Sequence, residues 1–194
     1  MTGAHRAEPA EQADRDDWGG VPSAGASLSV PTADAMRALG ERLARLLRPA
    51  DLVVLTGDLG AGKTTLTQGL GVGLKVREGV ASPTFVIARV HPSLVGGPAL
   101  VHVDAFRLNS LAEIDDLDLD ASLAESVTVV EWGHGLVEDL APDRLEVVIR
   151  RPRGDGLTRS VSDTLAFDDD DVRWVDITGY GRRWDGVSFP SSIG

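Results

Sequence analysis

Residues Gly57 to Thr64 read Gly-Asp-Leu-Gly-Ala-Gly-Lys-Thr, and no other feature constrains the fold of this chain as strongly. The pattern Gly-x-x-x-x-Gly-Lys-Ser/Thr bends the backbone so that successive N–H groups converge on a phosphate. Asp58, Leu59, Gly60, Ala61, Gly62, Lys63, Thr64 and Thr65 are therefore the expected phosphate-binding stretch. Its amides cradle the β-phosphate, Lys63 brings a flexible cation to the β/γ oxygens, and the Thr64 hydroxyl can ligate Mg²⁺. On composition alone, a chain of this make-up would contain about 0.003 such octets by accident. Lys63 is also one of only two lysines in the chain, so a scarce residue type sits where the chemistry needs it.

The flanks agree with the motif. Leu52 to Thr56 is a short, nearly continuous apolar run, as expected of a strand buried on both faces. After the loop, Leu66, Leu70 and Leu74 recur at four-residue spacing and predict a helix. Upstream, Leu28 and Val30 alternate as in a strand. Thr32 then caps a helix whose apolar stripe is Met36, Leu39, Leu43, Leu46 and Leu47. Downstream the chain reads mainly as strand: Thr84 to Val90, Leu100 to Val103 ending at Asp104, Val127 to Val130 ending at Glu131, and Leu145 to Ile149. Ser110-Leu111-Ala112-Glu113 is a capping box opening a short helix. Weak strands at Leu157 to Ala166 and Val172 to Thr178 are candidates for antiparallel additions.

The length of 194 residues suits one domain with tails. Residues 1–25 are acidic and poor in large apolar side chains, so a disordered tail is expected there. The domain is placed at 26–184, with 152–171 as a variable insertion and 185–194 as a frayed tail. A net charge of −11 opposes wrapping by a nucleic acid backbone. With no cysteine and four scattered histidines, disulfides are excluded and a zinc site is disfavoured. No apolar run approaches the roughly 20 residues of a membrane span. The polar N-terminus lacks the layout of a signal peptide, so a cytoplasmic protein with no membrane association is expected.

A phosphate loop binds nucleotide, but hydrolysis also needs a metal-holding carboxylate and a group that orients water. Such acids usually lie at the C-terminal tips of buried strands beside the loop, and Asp104 and Glu131 both qualify. Exposed strand-end carboxylates are common, so it is the combination with the phosphate loop that singles these out. Ser82-Pro83-Thr84-Phe85 could present a hydroxyl to Mg²⁺ or a γ-phosphate, as switch loops do, although spacing alone favours an ordinary loop proline. Trp132 can wall the site or simply pack. His102 is expected to pack or hydrogen-bond within its strand. Seven acids lie between Asp104 and Glu125 against the single base Arg107, giving either a solvated face or a docking surface for a basic partner. Arg144, Arg150, Arg151 and Arg153 form the compact basic group, a contact for RNA or carboxylates, or protection of an edge strand.

Taken in order, Gly57 to Leu66, Ser82-Pro83-Thr84-Phe85, His102-Val103-Asp104-Ala105-Phe106-Arg107-Leu108 and Glu131-Trp132 make the chain resemble the TsaE family. That is the family of small bacterial ATPases, also known as YjeE, of tRNA threonylcarbamoyladenosine biosynthesis. The resemblance runs from about Ala26 to Arg151, with Thr178 to Trp184 as a final strand. It implies an α/β fold of the P-loop nucleotidase type: a partly parallel central sheet, flanking antiparallel strands and helices on both faces. It further implies ATP and Mg²⁺ as cofactors, and hydrolysis stimulated by docking on a TsaB–TsaD heterodimer that modifies the adenosine beside the anticodon. Contact with tRNA would then be indirect. By motif position, Lys63 and the loop amides would bind phosphates, and Thr64 and Glu131 would hold Mg²⁺. Asp104 would support the metal or the attacking water, Thr84 would be the switch hydroxyl, Trp132 would lie near the nucleotide, and Thr32 would flank the purine. His91-Pro92 departs from the family, whose members often carry an aromatic residue there.

Two other functions compete. A small-molecule kinase shares the phosphate loop but needs an Arg-rich lid, and the segment after the loop helix reads as strands and acids. A nucleotide-sensing scaffold would bind ATP without productive turnover. A GTPase is excluded more firmly, because the guanine-reading Asn-Lys-x-Asp is absent: the sole asparagine, Asn109, precedes Ser110.

Overall fold

A computed structural model of the chain describes residues 22–77, 79–80, 88–107, 124–138, 141–151 and 172–193. Seven strands and two helices of eight residues or more are present among these. They are β1 (Pro22–Val30), α1 (Ala33–Ala44), β2 (Leu52–Thr56), α2 (Lys63–Gly73), β3 (Ala88–His91), β4 (Ala99–Asp104), β5 (Ser126–Glu131), β6 (Arg144–Arg150) and β7 (Arg173–Tyr180). One sheet holds all seven strands in the order β1-β7-β6-β2-β5-β4-β3. Its centre, β6-β2-β5-β4, is parallel. β7 and β1 extend one side antiparallel, and β3 closes the other side antiparallel.

The apolar runs explain the centre. β2 and β5 are buried along nearly their whole length, which leaves only interior positions open to them. Alternation then sorts side chains by face. Val53, Leu55, Val127, Val129, Leu145 and Val147 join the core beneath α1 and α2, while Leu52, Val54, Val101, Val103 and Val130 form a smaller cluster on the opposite face. Val137 seals that second face, with Leu136 and Ala141 packed against it.

Helix α1 begins where the sequence indicates, with the Thr32 side chain accepting from the Ala35 N–H at 3.1 Å. Met36, Leu39 and Leu43 are its buried stripe. Helix α2 is rich in glycine, a poor helix former, and packing supplies the reason. A Cβ on Gly69 would run into the Arg37 carbonyl of α1, and one on Gly40 of α1 would meet the backbone of Leu66, Gly69 and Leu70. The two helices thus cross backbone to backbone on the same face of the sheet. The helix expected at Ser110 lies outside the described residues, as do the proposed insertion at 152–171 and the weak strand at Leu157 to Ala166.

Four expectations change. The first strand starts at Pro22, so ordered structure begins inside the segment assigned to the acidic tail; pairing with β7 through Ala24 to Val30 explains this. The final strand ends at Tyr180 rather than Trp184, because Gly181 turns the chain at φ 83° into a short 3-10 turn at Arg182–Trp184. Asp185 onward is not simply frayed: Phe189 is buried and its ring centroid lies 5.6 Å from that of Trp184. Arg144 and Arg150 of the arginine group take separate partners, and Arg153 lies outside the described residues. Arg144 is buried, bonded to Glu146 at 2.8 Å and stacked on Tyr180, while Arg150 pairs with Asp176 at 2.6 Å. Their strand lies inside the sheet between β7 and β2, so it is not an edge.

The C-terminal turn is tied to the domain by a part-buried ion pair. Arg183 reaches Asp51 with Nε at 2.9 Å and Nη2 at 2.8 Å, a bidentate geometry, and also donates to the Leu46 carbonyl.

Candidate functional site

The loop between β2 and α2 has the conformation its glycines permit. Gly57, Gly60 and Gly62 have φ of 155°, 75° and 115°, a region L side chains rarely adopt. At Gly57 the constraint is also steric, because a Cβ there would strike the Ile149 carbonyl of β6. Helix α2 has Gly62 as its cap with no capping side chain. Its first N–H groups are therefore open to an anion, with the helix dipole adding favourably.

Lys63 is buried, and its ammonium is held close to its own loop. Nζ donates to the carbonyls of Gly57 and Asp58 at 2.7 and 3.1 Å and lies 3.6 Å from the centroid of the Trp132 ring. Burial pulls the Lys63 pKa below its ordinary value, against an opposing pull from the carboxylates of Glu131, Asp104 and Asp58. Trp132 reaches this position through a left-handed backbone, φ 62°, directly after β5. That conformation is unfavourable for a bulky residue. It is fixed by the bond from the Trp132 N–H to the Leu55 carbonyl at 3.0 Å. Phe106 meets the indole at a tilt of 58°, with centroids 5.2 Å apart.

The two strand-end acids meet. Asp104 and Glu131 are directly opposite each other in the β4–β5 register, and both line the cleft at the phosphate loop. The Thr64 hydroxyl hydrogen-bonds the Glu131 carboxylate, 2.9 Å from Oε1 and 3.2 Å from Oε2. Asp104 Oδ1 accepts from the Phe106 N–H at 3.1 Å. A further group comes from the neighbouring strand: His102, fully buried, bonds Glu131 Oε1 through Nε2 at 2.8 Å. His102 is expected to pack or hydrogen-bond within its strand; it is packed in the core, and its hydrogen bond crosses to β5. Its place in the His-x-Asp stretch, one turn of the pleat before Asp104, is the only signal that pointed to it.

The cleft has a volume of about 430 Å³ and is lined by Gly60, Gly62, Lys63, Thr64, Asp104, Glu131 and Trp132, among others. Beside it, Thr32, Gly62, Thr65 and Arg173 border a smaller hollow of about 70 Å³. Sequence reasoning missed Arg173; its Nε donates to the Ala61 carbonyl at 3.2 Å, bringing β7 to the loop. Thr84 lies outside the described residues.

The donor set fits magnesium. Hydroxyl and carboxylate oxygens are what this hard cation takes, and it is commonly held by one or two carboxylates with phosphate and water. Among the described residues, no group of three or more His, Cys, Asp or Glu could cage a metal alone. Thr64 and Glu131, with Asp104 opposite, would therefore hold Mg²⁺ together with the phosphates.

Comparison with known proteins places the chain in a family. Residues 30–161 match the family model for "Threonylcarbamoyl adenosine biosynthesis protein TsaE". A Streptomyces coelicolor protein named tRNA threonylcarbamoyladenosine biosynthesis protein TsaE is 61% identical over 150 residues, covering 77% of this chain and 93% of that protein. The Bacillus subtilis protein of the same name is 35% identical over 150 residues, covering 77% and 82%. The crystal structure of Bacillus subtilis YdiB superposes with a TM-score of 0.62 at 29% identity, covering 84% of this chain and 90% of that one.

Proposed function

The chain belongs to the TsaE family of tRNA threonylcarbamoyladenosine biosynthesis, and we propose that it serves that pathway as a Mg²⁺-dependent ATPase that works docked on a TsaB–TsaD complex. The observation that carries this reading is the bond between the Thr64 hydroxyl of the phosphate loop and the Glu131 carboxylate at the tip of β5. It joins the motif that binds phosphate to an acid able to manage a cation.

In this reading the amides from Asp58 to Thr65 bind the phosphate chain, with the open N-terminus of α2 behind them. Lys63 exchanges its bonds to Gly57 and Asp58 for phosphate oxygens. Thr64 and Glu131 hold Mg²⁺, and Asp104 supports the metal or orients the attacking water. When bound, the cation supplies neutralisation of charge on the β- and γ-phosphates. Trp132 and Phe106 screen the cleft from bulk water, Thr84 is the switch hydroxyl that senses the γ-phosphate, and Thr32 flanks the purine. No described helix is long and apolar enough to cross a membrane. In this reading contact with tRNA is made only through the complex.

The test compares ATP turnover by the chain alone and with purified TsaB–TsaD. Stimulation by the partners is expected. Partner-independent transfer of phosphate to a metabolite would replace this reading with a kinase, and calorimetry detecting no uptake of adenine nucleotide with Mg²⁺ would remove it altogether.

A further inference from the structure

We infer that His102 is a positioning residue for Glu131, pinning one carboxylate oxygen so that the other is presented to the cation. The inference rests on the reading of Glu131 as a magnesium ligand, and it concerns a residue to which that reading gives no role.

A carboxylate can only accept, so the 2.8 Å contact between His102 Nε2 and Glu131 Oε1 requires the proton to sit on Nε2. Oε1 then receives two donors, His102 at 2.8 Å and Thr64 at 2.9 Å, whereas Oε2 engages the Thr64 hydroxyl at 3.2 Å. The occupied oxygen is thus the one facing β4, and Oε2 is the oxygen with capacity to spare. The constraint is needed because of what lies opposite. Asp104 is the direct cross-strand partner of Glu131, and two like charges in that relation repel. Left to itself, Glu131 would turn away from Asp104 and disperse the cluster of acids. His102 stands diagonal to Glu131, paired with Val129, and reaches across to hold the carboxylate in place.

The other side of the imidazole argues against a mere packing role. His102 has no exposed surface, and among the described residues its buried Nδ1 has no hydrogen-bond partner. An apolar residue would fill that core volume without leaving a polar atom unsatisfied. Among the described residues, the bond to Glu131 is the polar interaction that accounts for a histidine here. Groups of this kind, which orient a metal ligand without touching the metal, typically contribute 10- to 100-fold to metal affinity.

The experiment uses the full chain and Mn²⁺ as the paramagnetic probe. His102→Gln places an amide N–H near the position of Nε2; His102→Asn places it near Nδ1, out of reach of Glu131. Mn²⁺ affinity of the ADP complex is measured by electron paramagnetic resonance, alongside affinity for ADP without metal. The Asn variant should lose about 10- to 100-fold in Mn²⁺ affinity, the Gln variant should recover most of it, and metal-free ADP affinity should stay within about twofold in both. Equal losses in Gln and Asn variants, or an unchanged Mn²⁺ affinity in the Asn variant, overturn the inference. Should the Asn variant not fold, ¹⁵N NMR of the wild-type ring decides instead. The Nε2–H tautomer is expected, with its resonance moved by Glu131→Gln; an Nδ1–H tautomer overturns the inference. A wild-type chain that binds ADP but no Mn²⁺ defeats the metal reading of Glu131, and the role of His102 with it. By contrast, normal wild-type binding with an unaffected Asn variant defeats only the role of His102.

Discussion

The Lys63 ammonium lies 3.6 Å from the centroid of the Trp132 ring while donating to the Gly57 and Asp58 carbonyls. The lysine is therefore already desolvated and already satisfied. A phosphate must offer more than two carbonyls and an aromatic face, and a doubly charged acceptor does so.

Lys63→Ala removes the loop's only side-chain cation. A hydrogen bond to a charged group contributes about 1.5–3 kcal/mol, so ADP and ATP affinity should fall about 10- to 100-fold. Titration calorimetry with and without Mg²⁺ checks this. Unchanged affinity would mean that phosphates bind elsewhere.

Glu131→Gln keeps the shape of the carboxylate while weakening its hold on a cation. Partner-stimulated turnover should drop at least about tenfold, and the thermal midpoint should change little. Asp104→Asn is the companion. If Asp104 orients water rather than metal, its variant should lose turnover while the Mg²⁺ concentration for half-maximal rate stays put. A Glu131→Gln protein with normal turnover would move the metal role to another residue.

Gly69→Ala tests the helix crossing. Helix propensity alone predicts a gain of about 1 kcal/mol. The Cβ would, however, run into the Arg37 carbonyl, so a net loss of about 1–3 kcal/mol is expected. Denaturant unfolding gives the sign directly, and a stabilised variant would show that the helices are not this close.

His91 makes stability depend on pH. It is buried, and burial lowers its pKa from the ordinary 6.5, with smaller contributions in the same direction from His102 and Arg89. Below pH 6.5 the unfolded chain binds the proton that the folded chain resists. Stability should thus be full above 6.5 and decline as pH falls towards the lowered folded value. His91→Phe removes both the titration and a buried Nε2 that has no partner among the described residues, so its thermal midpoint should fall less between pH 7 and about 5. Parallel declines in the two proteins would place the acid sensitivity elsewhere.

Much of the scaffold was legible for a simple reason: its elements are short and strongly marked. The octet at Gly57, the apolar runs at Leu52 and Val127 and the Thr32 cap are local signals, and each has its physical cause within a few residues. Asp104 and Glu131 were legible as strand-end acids because adjacent parallel strands end side by side. Arg144 and Arg150 do not form the compact basic group that their closeness in sequence suggests. Arg144 and Arg150 share a face by the strand's period of two, yet they stand at opposite ends of β6 and are taken up by different partners, Glu146 and Asp176. The antiparallel β1–β7 pair was only half visible, because the residue that pairs with Pro22 is Tyr180, 158 positions away.

By itself, then, the order of residues determined that a tight glycine turn joins a buried strand to a helix, and which acids stand at strand tips. Those are properties of backbone sterics and apolar periodicity, which act over a few residues. Only the tertiary structure decided that His102 bonds Glu131, that Trp132 turns left-handed over Lys63, and that Gly40 and Gly69 let two helices touch. Each of these depends on strand register and interhelical distance, which arise from the packing of the whole core and are encoded in no single segment.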